Sequence, residues 1–115
     1  MIQRIDAGAR MSDAVVHNGV VYLAGQVASG SAIDIGGQTR EVLAAIDALL
    51  AKAGSDKTRV LRAQIFLADM ADFPGMNAVW DQWVVPGHTP ARATVQAALA
   101  KPQWKVEIVI TAALA

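Results

Sequence analysis

The sequence contains no cysteine, so disulfide bonds, thiolate metal sites and thiol catalysis are all excluded. Its charge carries no bias either, because ten basic and ten acidic residues cancel and neither Lys nor Arg occurs in runs. A chain without a basic patch lacks the usual electrostatic footprint for nucleic acid or for an anionic membrane surface. We therefore expect a small-molecule partner, with no nucleic acid and no membrane involved.

Long apolar runs are absent as well. None approaches the roughly 20 residues that a membrane-spanning helix needs, and segment 1–6 lacks the continuous apolar core of a secretory signal. A cytoplasmic location is the expectation. The two histidines, His17 and His88, stand apart without metal-ligand spacing, so neither a metal nor another cofactor is implied.

The length and hydrophobicity of the chain indicate one domain that buries part of its surface against other copies. A chain of 115 residues is expected to form a single domain over 1–115. Hydrophobic residues make up 54% of it and charged residues only 17%. Such an apolar composition favours an oligomer, in which surface is covered by neighbouring subunits.

The clearest local signal is the Asn18-Gly19 pair, which separates two β-rich runs at 14–17 and 20–24. Asn and Gly readily adopt the left-handed φ values of a tight turn, so a β-hairpin is predicted here. Further along, apolar residues at helical spacing predict a helix over 38–53, and the glycine that follows is a typical C-terminal stop.

The remaining elements are a short edge strand over 2–6, a strand over 60–68, a helix between an N-cap at Asp72 and a stop at Pro86-Gly87, and strands over 89–98 and 104–111. Alternation along the 60–68 strand predicts one face made of Leu61, Ala63, Ile65 and Leu67. This order of elements indicates an α+β, two-layer fold in which a mixed sheet carries both helices on one face. Nothing else in the chain covers the other face, which again favours an oligomer.

Two charged side chains of the last two strands, Arg92 and Glu107, are candidates for chemistry. Arg92 can bind a carboxylate through two parallel, charge-assisted hydrogen bonds, which a lysine cannot reproduce. Glu107, one of only two glutamates, can orient or deprotonate a water molecule for attack on an electrophilic carbon. The alternatives are an Arg92 that is solvated or paired with an aspartate, and a Glu107 paired with Lys105 or Arg62.

Three further residues are candidates for ligand contacts. Thr94 shares a strand face with Arg92, and its hydroxyl either bonds a ligand or only reflects β-propensity. Asn77 lies on an apolar helical stripe, where a buried amide needs a partner in a ligand or in the backbone. Gly25 either lets a ligand approach the backbone or marks a strand bend.

Several motifs occur together in the order and spacing of a known family: Gly25-Gln26, Asp72-Phe73 with Met76-Asn77, Pro90-Ala91-Arg92 with Thr94, and Lys105-Val106-Glu107-Ile108. Over nearly the whole chain they resemble the RidA-like (YjgF-type, YoaB-like) enamine/imine deaminases. The resemblance implies a chorismate-mutase-like fold and a homotrimer with ligand sites between subunits. It also implies cofactor-independent hydrolysis of acids such as 2-iminopropanoate and 2-iminobutanoate to 2-oxo acids and ammonia.

The resemblance also assigns roles to residues. It implies that Arg92 binds the substrate carboxylate and that Glu107 positions the water, with Thr94, Gly25 and Asn77 around the substrate. It further implies that the 60–68 strand lies between the last two strands, which leaves open whether Arg92 and Glu107 meet within one subunit or across an interface.

Two positions depart from the family pattern within the substrate-binding set. Met11 stands where the family has tyrosine, and Ala24 where it has serine, so each change removes a hydroxyl. The alternative function is therefore a trimer that binds small carboxylates, or regulates, without turnover. The endoribonuclease label that relatives carry is the least favoured function, because the chain has no basic stripe and no histidine pair.

Overall fold

Residues 1–115 form seven strands and two helices in the computed structural model. In chain order these are β1 (Gln3–Ile5), β2 (Ala14–His17), β3 (Val20–Leu23), β4 (Gln26–Val27), α1 (Ile35–Ala53), β5 (Val60–Leu67), α2 (Phe73–Trp83), β6 (Ala91–Gln96) and β7 (Val106–Ala113). Short 3₁₀ turns over Lys57–Arg59 and Met70–Asp72 precede β5 and α2.

All seven strands belong to one sheet. Its main order is β1-β2-β3-β7-β5-β6, and the short β4 also pairs with β7. Only the β5–β6 pair is parallel, so the sheet is mixed, as predicted. Strand β5 lies between β6 and β7, as the family resemblance implied.

The predicted hairpin is confirmed as β2 and β3, joined by Asn18 and Gly19. Both turn residues have left-handed backbones, with φ of 50° and 76°. The pairing of Val15 with Tyr22 and of His17 with Val20 follows from this two-residue turn. A local sequence signal therefore sets the register at this end of the sheet.

Both predicted helices are present, with different ends. Helix α1 starts three residues earlier than expected, because the Asp34 side chain caps it by accepting a hydrogen bond from the Gly37 N–H. Asp72 does precede α2, but its side chain makes no capping hydrogen bond, and α2 ends at Trp83 rather than at Pro86. Neither helix is both long and apolar enough to cross a membrane.

The helices cover one face of the sheet and bury a single hydrophobic cluster with it. Strand β7 shows the predicted alternation most clearly, since Val106, Ile108 and Ile110 are fully buried and the residues between them are not. This face is the core side of the sheet. The sheet and the two helices thus form two layers around one core, which confirms the two-layer α+β architecture.

The prediction for the start of β5 was wrong. Leu61 is 51% exposed and Val60 is buried, the reverse of the expected pattern. The cause is a register shift between Val60 and Arg62, a β-bulge that turns the chain by one residue relative to β7. From Ala63 onward the predicted alternation holds.

We call the sheet surface opposite the helices the open face. Strand pairing assigns it several half-exposed apolar side chains, with His17, Arg62, Gln64 and Thr111 between them: Val15, Val20, Tyr22, Phe66, Val95 and Val109. No element of the chain covers these residues. An uncovered sheet face that carries several exposed apolar side chains is typical of a protein–protein interface.

Candidate functional site

Arg92 and Glu107 lie on opposite faces of the sheet. Arg92 pairs with Ala63 of β5, which is fully buried on the core side, whereas Glu107 pairs with Phe66, which points to the open face. Ala63 and Phe66 are three residues apart, which corresponds to opposite faces and to about 10 Å along the strand. A single chain therefore does not bring the two side chains together.

The Arg92 guanidinium is held by neutral groups. Its Nη1 donates a hydrogen bond of 2.8 Å to Oδ1 of Asn77, and its Cζ lies 5.3 Å from the ring centre of Trp80 and 5.8 Å from that of Phe73. The ion pairs of the structure are Lys52–Asp6 and Arg59–Asp56, so no carboxylate neutralises Arg92. The remaining N–H groups of a half-buried cation are thus free to bind an anion.

Thr94 stands two residues beyond Arg92 on the same strand face, beside Ile65. Its Oγ1 is the one buried side-chain polar atom without a hydrogen-bond partner. A buried hydroxyl in this state costs about 1–3 kcal/mol. The hydroxyl shares this strand face with the Arg92 guanidinium but is buried rather than exposed at the surface.

Glu107 is half-buried on the open face, between Val27 of β4 and Phe66 of β5. It forms no ion pair with Lys105 or Arg62, the two partners that the sequence offered. Its carboxylate is therefore not neutralised by a neighbouring cation of the same chain.

Gly25 makes room for Glu107. A Cβ at position 25 would lie only 3.0 Å from Cδ and 3.3 Å from Cγ of Glu107, closer than side chains normally approach. The sequence left open whether Gly25 admits a ligand or marks a strand bend, and within one chain the group that approaches it is the Glu107 carboxylate. The absence of a side chain here thus sets where that carboxylate lies.

The other predicted site residues take varied positions. Asn77 finds its partner in Arg92, rather than in the backbone. Ala24 accepts a hydrogen bond from the Gln26 side chain and donates its N–H to the Asp13 carbonyl. Met11 is exposed in the loop between β1 and β2.

Sequence reasoning missed the aromatic contacts of Arg92. It gave neither Trp80 nor Phe73 a role in holding this arginine. The spacing 73, 77, 80 places these residues on one side of α2, which is a signal for shared contacts. It does not say which strand that side meets, and only the fold brings it against Arg92.

The cavities of the single chain do not enclose either charged residue. The largest measures about 370 Å³ and lies between residues 30–33 and 102–105. Neither Arg92 nor Glu107 lines this cavity or the three others. His, Asp and Glu side chains also form no group of three that could hold a metal ion.

Comparison with known proteins finds relatives over the full length. Residues 1–114 match the family model described as Endoribonuclease L-PSP. The RutC family protein YoaB of Escherichia coli K12 is 54% identical over 113 residues, with 98% of each chain covered. A RutC family protein of Haemophilus ducreyi is 51% identical over 114 residues, covering 99% of this chain and 97% of that one. Among solved structures, NMB1025 of Neisseria meningitidis, a member of the YjgF protein family, superposes with a TM-score of 0.98 at 49% identity, covering 100% of this chain and 96% of that one.

Proposed function

Because the chain belongs to the RidA/YjgF family, whose members have the chorismate-mutase-like fold, we propose that it hydrolyses reactive 2-imino acids to 2-oxo acids and ammonia. Family membership supports the broader assignment to small-molecule damage control or deamination. The finer proposal, with substrates of the 2-iminopropanoate and 2-iminobutanoate type, depends above all on one observation. This is the half-buried guanidinium of Arg92, which no carboxylate neutralises.

Arg92 would bind the carboxylate of the substrate. Two parallel N–H···O bonds from a guanidinium fix both the position and the plane of a carboxylate, and each contributes about 1.5–3 kcal/mol. Thr94 lies on the same face, and its hydroxyl, which is buried and unpartnered in the single chain, would need to become accessible in the assembled cleft to bond to the ligand. These contacts would place the imine carbon, next to the carboxylate, at a defined distance from the protein.

Glu107 would hold the attacking water. As the water oxygen bonds to C2 of the imine, the carboxylate accepts a proton from it and passes that proton to the nitrogen, which becomes an amine. The hydroxyl at C2 then gives its proton to the amine as the C–N bond breaks, so that ammonia leaves and the 2-oxo acid forms. Imines are already electrophilic, so orientation and electrostatic stabilisation are the contributions that the protein needs to make.

A complete site requires more than one copy of the chain. Arg92 and Glu107 lie on opposite faces of the sheet, so a ligand that touches both must sit between two subunits. The apolar open face supports a homotrimer in which neighbouring sheets cover one another. In this arrangement Arg92 of one subunit and Glu107 of its neighbour face a shared cleft, with Met11 and Ala24 among the residues that border it.

A second candidate is a trimer that binds small carboxylates without turnover. The observation that favours it is the composition at positions 11 and 24, where Met and Ala replace residues with hydroxyl groups in the family pattern. Loss of those hydroxyls would weaken proton transfer more than it weakens the binding of a carboxylate.

The decisive experiment generates 2-iminobutanoate in situ and follows its disappearance. We expect the wild-type chain to accelerate the loss, and both Arg92→Ala and Glu107→Gln to remove nearly all of the acceleration. Glu107→Gln should still bind 2-oxobutanoate in calorimetry, because Arg92 is intact. Arg40→Ala, which removes an exposed arginine of α1, is the matched control and should behave as wild type.

Two outcomes would contradict this function. Equal rates for wild type and Arg92→Ala would remove the deaminase proposal. Binding of 2-oxobutanoate by the wild-type chain, without faster imine loss, would instead support the non-catalytic trimer.

A further inference from the structure

A row of aromatic contacts runs from α1 to Arg92. The indole N–H of Trp83 donates to both carboxylate oxygens of Asp47, at 3.0 and 3.1 Å. The ring centres of Trp83 and Trp80 are 5.2 Å apart with an angle of 45° between the planes. Trp80 in turn lies 5.3 Å from the Arg92 guanidinium carbon. A polar anchor on α1 is therefore connected through two packed rings to the cation of the candidate site.

Aromatic rings hold a cation in a different way from a carboxylate. The negative face of a ring attracts the guanidinium without accepting its N–H groups in strong hydrogen bonds. An Asp or Glu in the same place would occupy the planar fork of N–H donors and compete with the carboxylate of a ligand. We call Phe73 and Trp80 the aromatic cradle of Arg92, since both rings contact the guanidinium.

We propose that Trp80 is a positioning residue, which fixes the direction of the Arg92 guanidinium and thereby sets the affinity for the substrate carboxylate. Trp80 is only 5% exposed and packs between Trp83 and Arg92, so it acts through Arg92 rather than on the ligand. Asn77 holds Nη1 from the same helix, and Phe73 completes the cradle. This inference rests on the proposed role of Arg92 as the carboxylate-binding group.

The test changes the charge of the ring while keeping its shape. Trp80 is replaced, one variant at a time, by tryptophans with an increasing number of fluorine atoms, which progressively withdraw electron density from the ring face. Two quantities are measured on the full-length protein: the dissociation constant for 2-oxobutanoate, by calorimetry, and the rotation of the Arg92 guanidinium, by nitrogen-detected NMR.

We expect 2-oxobutanoate binding to weaken stepwise along the series, by about tenfold at its end, and the Arg92 guanidinium to rotate faster. For imine hydrolysis, KM should rise more than kcat falls. Trp80→Phe retains a smaller aromatic ring and should lie between wild type and Trp80→Leu. The fluorinated series keeps the test valid even where Trp80→Leu fails to fold.

Position 104 provides the matched control. The Trp104 ring also contacts a cation, but that cation is Lys101, at 5.2 Å. Fluorinated tryptophans at 104 should leave both 2-oxobutanoate affinity and Arg92 rotation unchanged. Affinity and rotation that stay constant along the series at position 80 would overturn the inference.

The outcome for Trp80 can be separated from the outcome for the proposed function. A wild-type chain that hydrolyses no imino acid, but in which Arg92 rotation responds to fluorination, would disprove the deaminase function and support the cradle. Hydrolysis that depends on Arg92, with no change in affinity or in Arg92 rotation along the series at position 80, would support the deaminase function and overturn the inference on Trp80.

Discussion

A half-buried arginine commonly pairs with a carboxylate, yet Arg92 contacts an amide and two aromatic rings. Glu107 likewise has no ion-pair partner, because it lies against Gly25 rather than against a cation. At the scale of single residues, the two candidate groups keep their charges unpaired within the subunit. An unpaired guanidinium and an unpaired carboxylate each attract a ligand or a neighbouring subunit that carries the opposite charge.

Gly25 offers a test of the position of Glu107. We expect Gly25→Ala to displace the carboxylate, because the added Cβ would press on Glu107 Cδ and Cγ. The kcat for imine hydrolysis should fall at least tenfold, a typical loss when a general base is misplaced. Binding of 2-oxobutanoate through Arg92 should change little, as calorimetry would show.

The control for that variant is Gly36→Ala in the first turn of α1. There the nearest atoms to an added Cβ are 3.5 Å away, an ordinary contact, so kcat should not change. A Gly25→Ala protein with wild-type kcat would show that Glu107 does not need its present position.

At the scale of elements, the β2–β3 hairpin depends on its turn residues. We expect Gly19→Ala to lower the free energy of unfolding by about 1–2 kcal/mol, because φ is 76° at this position and a Cβ disfavours that conformation. Urea unfolding followed by circular dichroism measures the change. No atom lies within 4 Å of the added Cβ, so an unchanged stability would mean that the hairpin adopts another turn.

The end of β1 is tied to α1 by an ion pair between Asp6 and Lys52. The hydrogen bond from Lys52, 2.6 Å long, is the main reason why the pKa of Asp6 lies below its ordinary 3.8. A carboxyl group whose pKa is lower in the folded protein stabilises the fold above the pKa of the unfolded chain. This contribution is lost as the pH falls through the folded-state pKa.

Asp6→Asn should therefore lower the free energy of unfolding slightly at neutral pH and have no effect well below pH 3.8. The expected change is small because both partners are about half exposed and screened by water. Urea unfolding of wild type and variant at the two pH values measures it. A difference of the same size at both would mean that the ion pair does not cause it.

At the scale of the whole molecule, the placement of Arg92 and Glu107 on opposite sheet faces predicts complementation between inactive variants. We expect Arg92→Ala and Glu107→Gln subunits, each inactive alone, to regain part of the wild-type rate when unfolded together and refolded as a mixture. In mixed oligomers some clefts would receive Arg92 from one subunit and Glu107 from the other.

The measurement is imine hydrolysis as a function of mixing ratio, with the oligomeric state followed by analytical ultracentrifugation. The maximum should fall near equal amounts of the two subunits. Refolded mixtures of trimers that remain inactive at every ratio would argue against a site shared between subunits.

Much of the fold follows from local patterns in the sequence. The Asn18-Gly19 turn, the apolar stripe of α1 and the alternation of β7 each depend on neighbours within a few residues, so they can be predicted without a structure. The burial pattern at the start of β5 could not be predicted in this way, because the bulge between Val60 and Arg62 depends on how that strand pairs with β7.

The candidate site likewise has features that the sequence predicts and features that depend on the fold. The chain by itself determined which residue types are present: an arginine on a late strand, a rare glutamate, a glycine and the motifs that resemble a family. Only the tertiary structure decided that Arg92 and Glu107 face opposite sides of the sheet and that Trp80 lies against Arg92. The physical reason is that strand register and helix docking join residues far apart in the chain, and a one-residue shift in either would move a side chain to the other face.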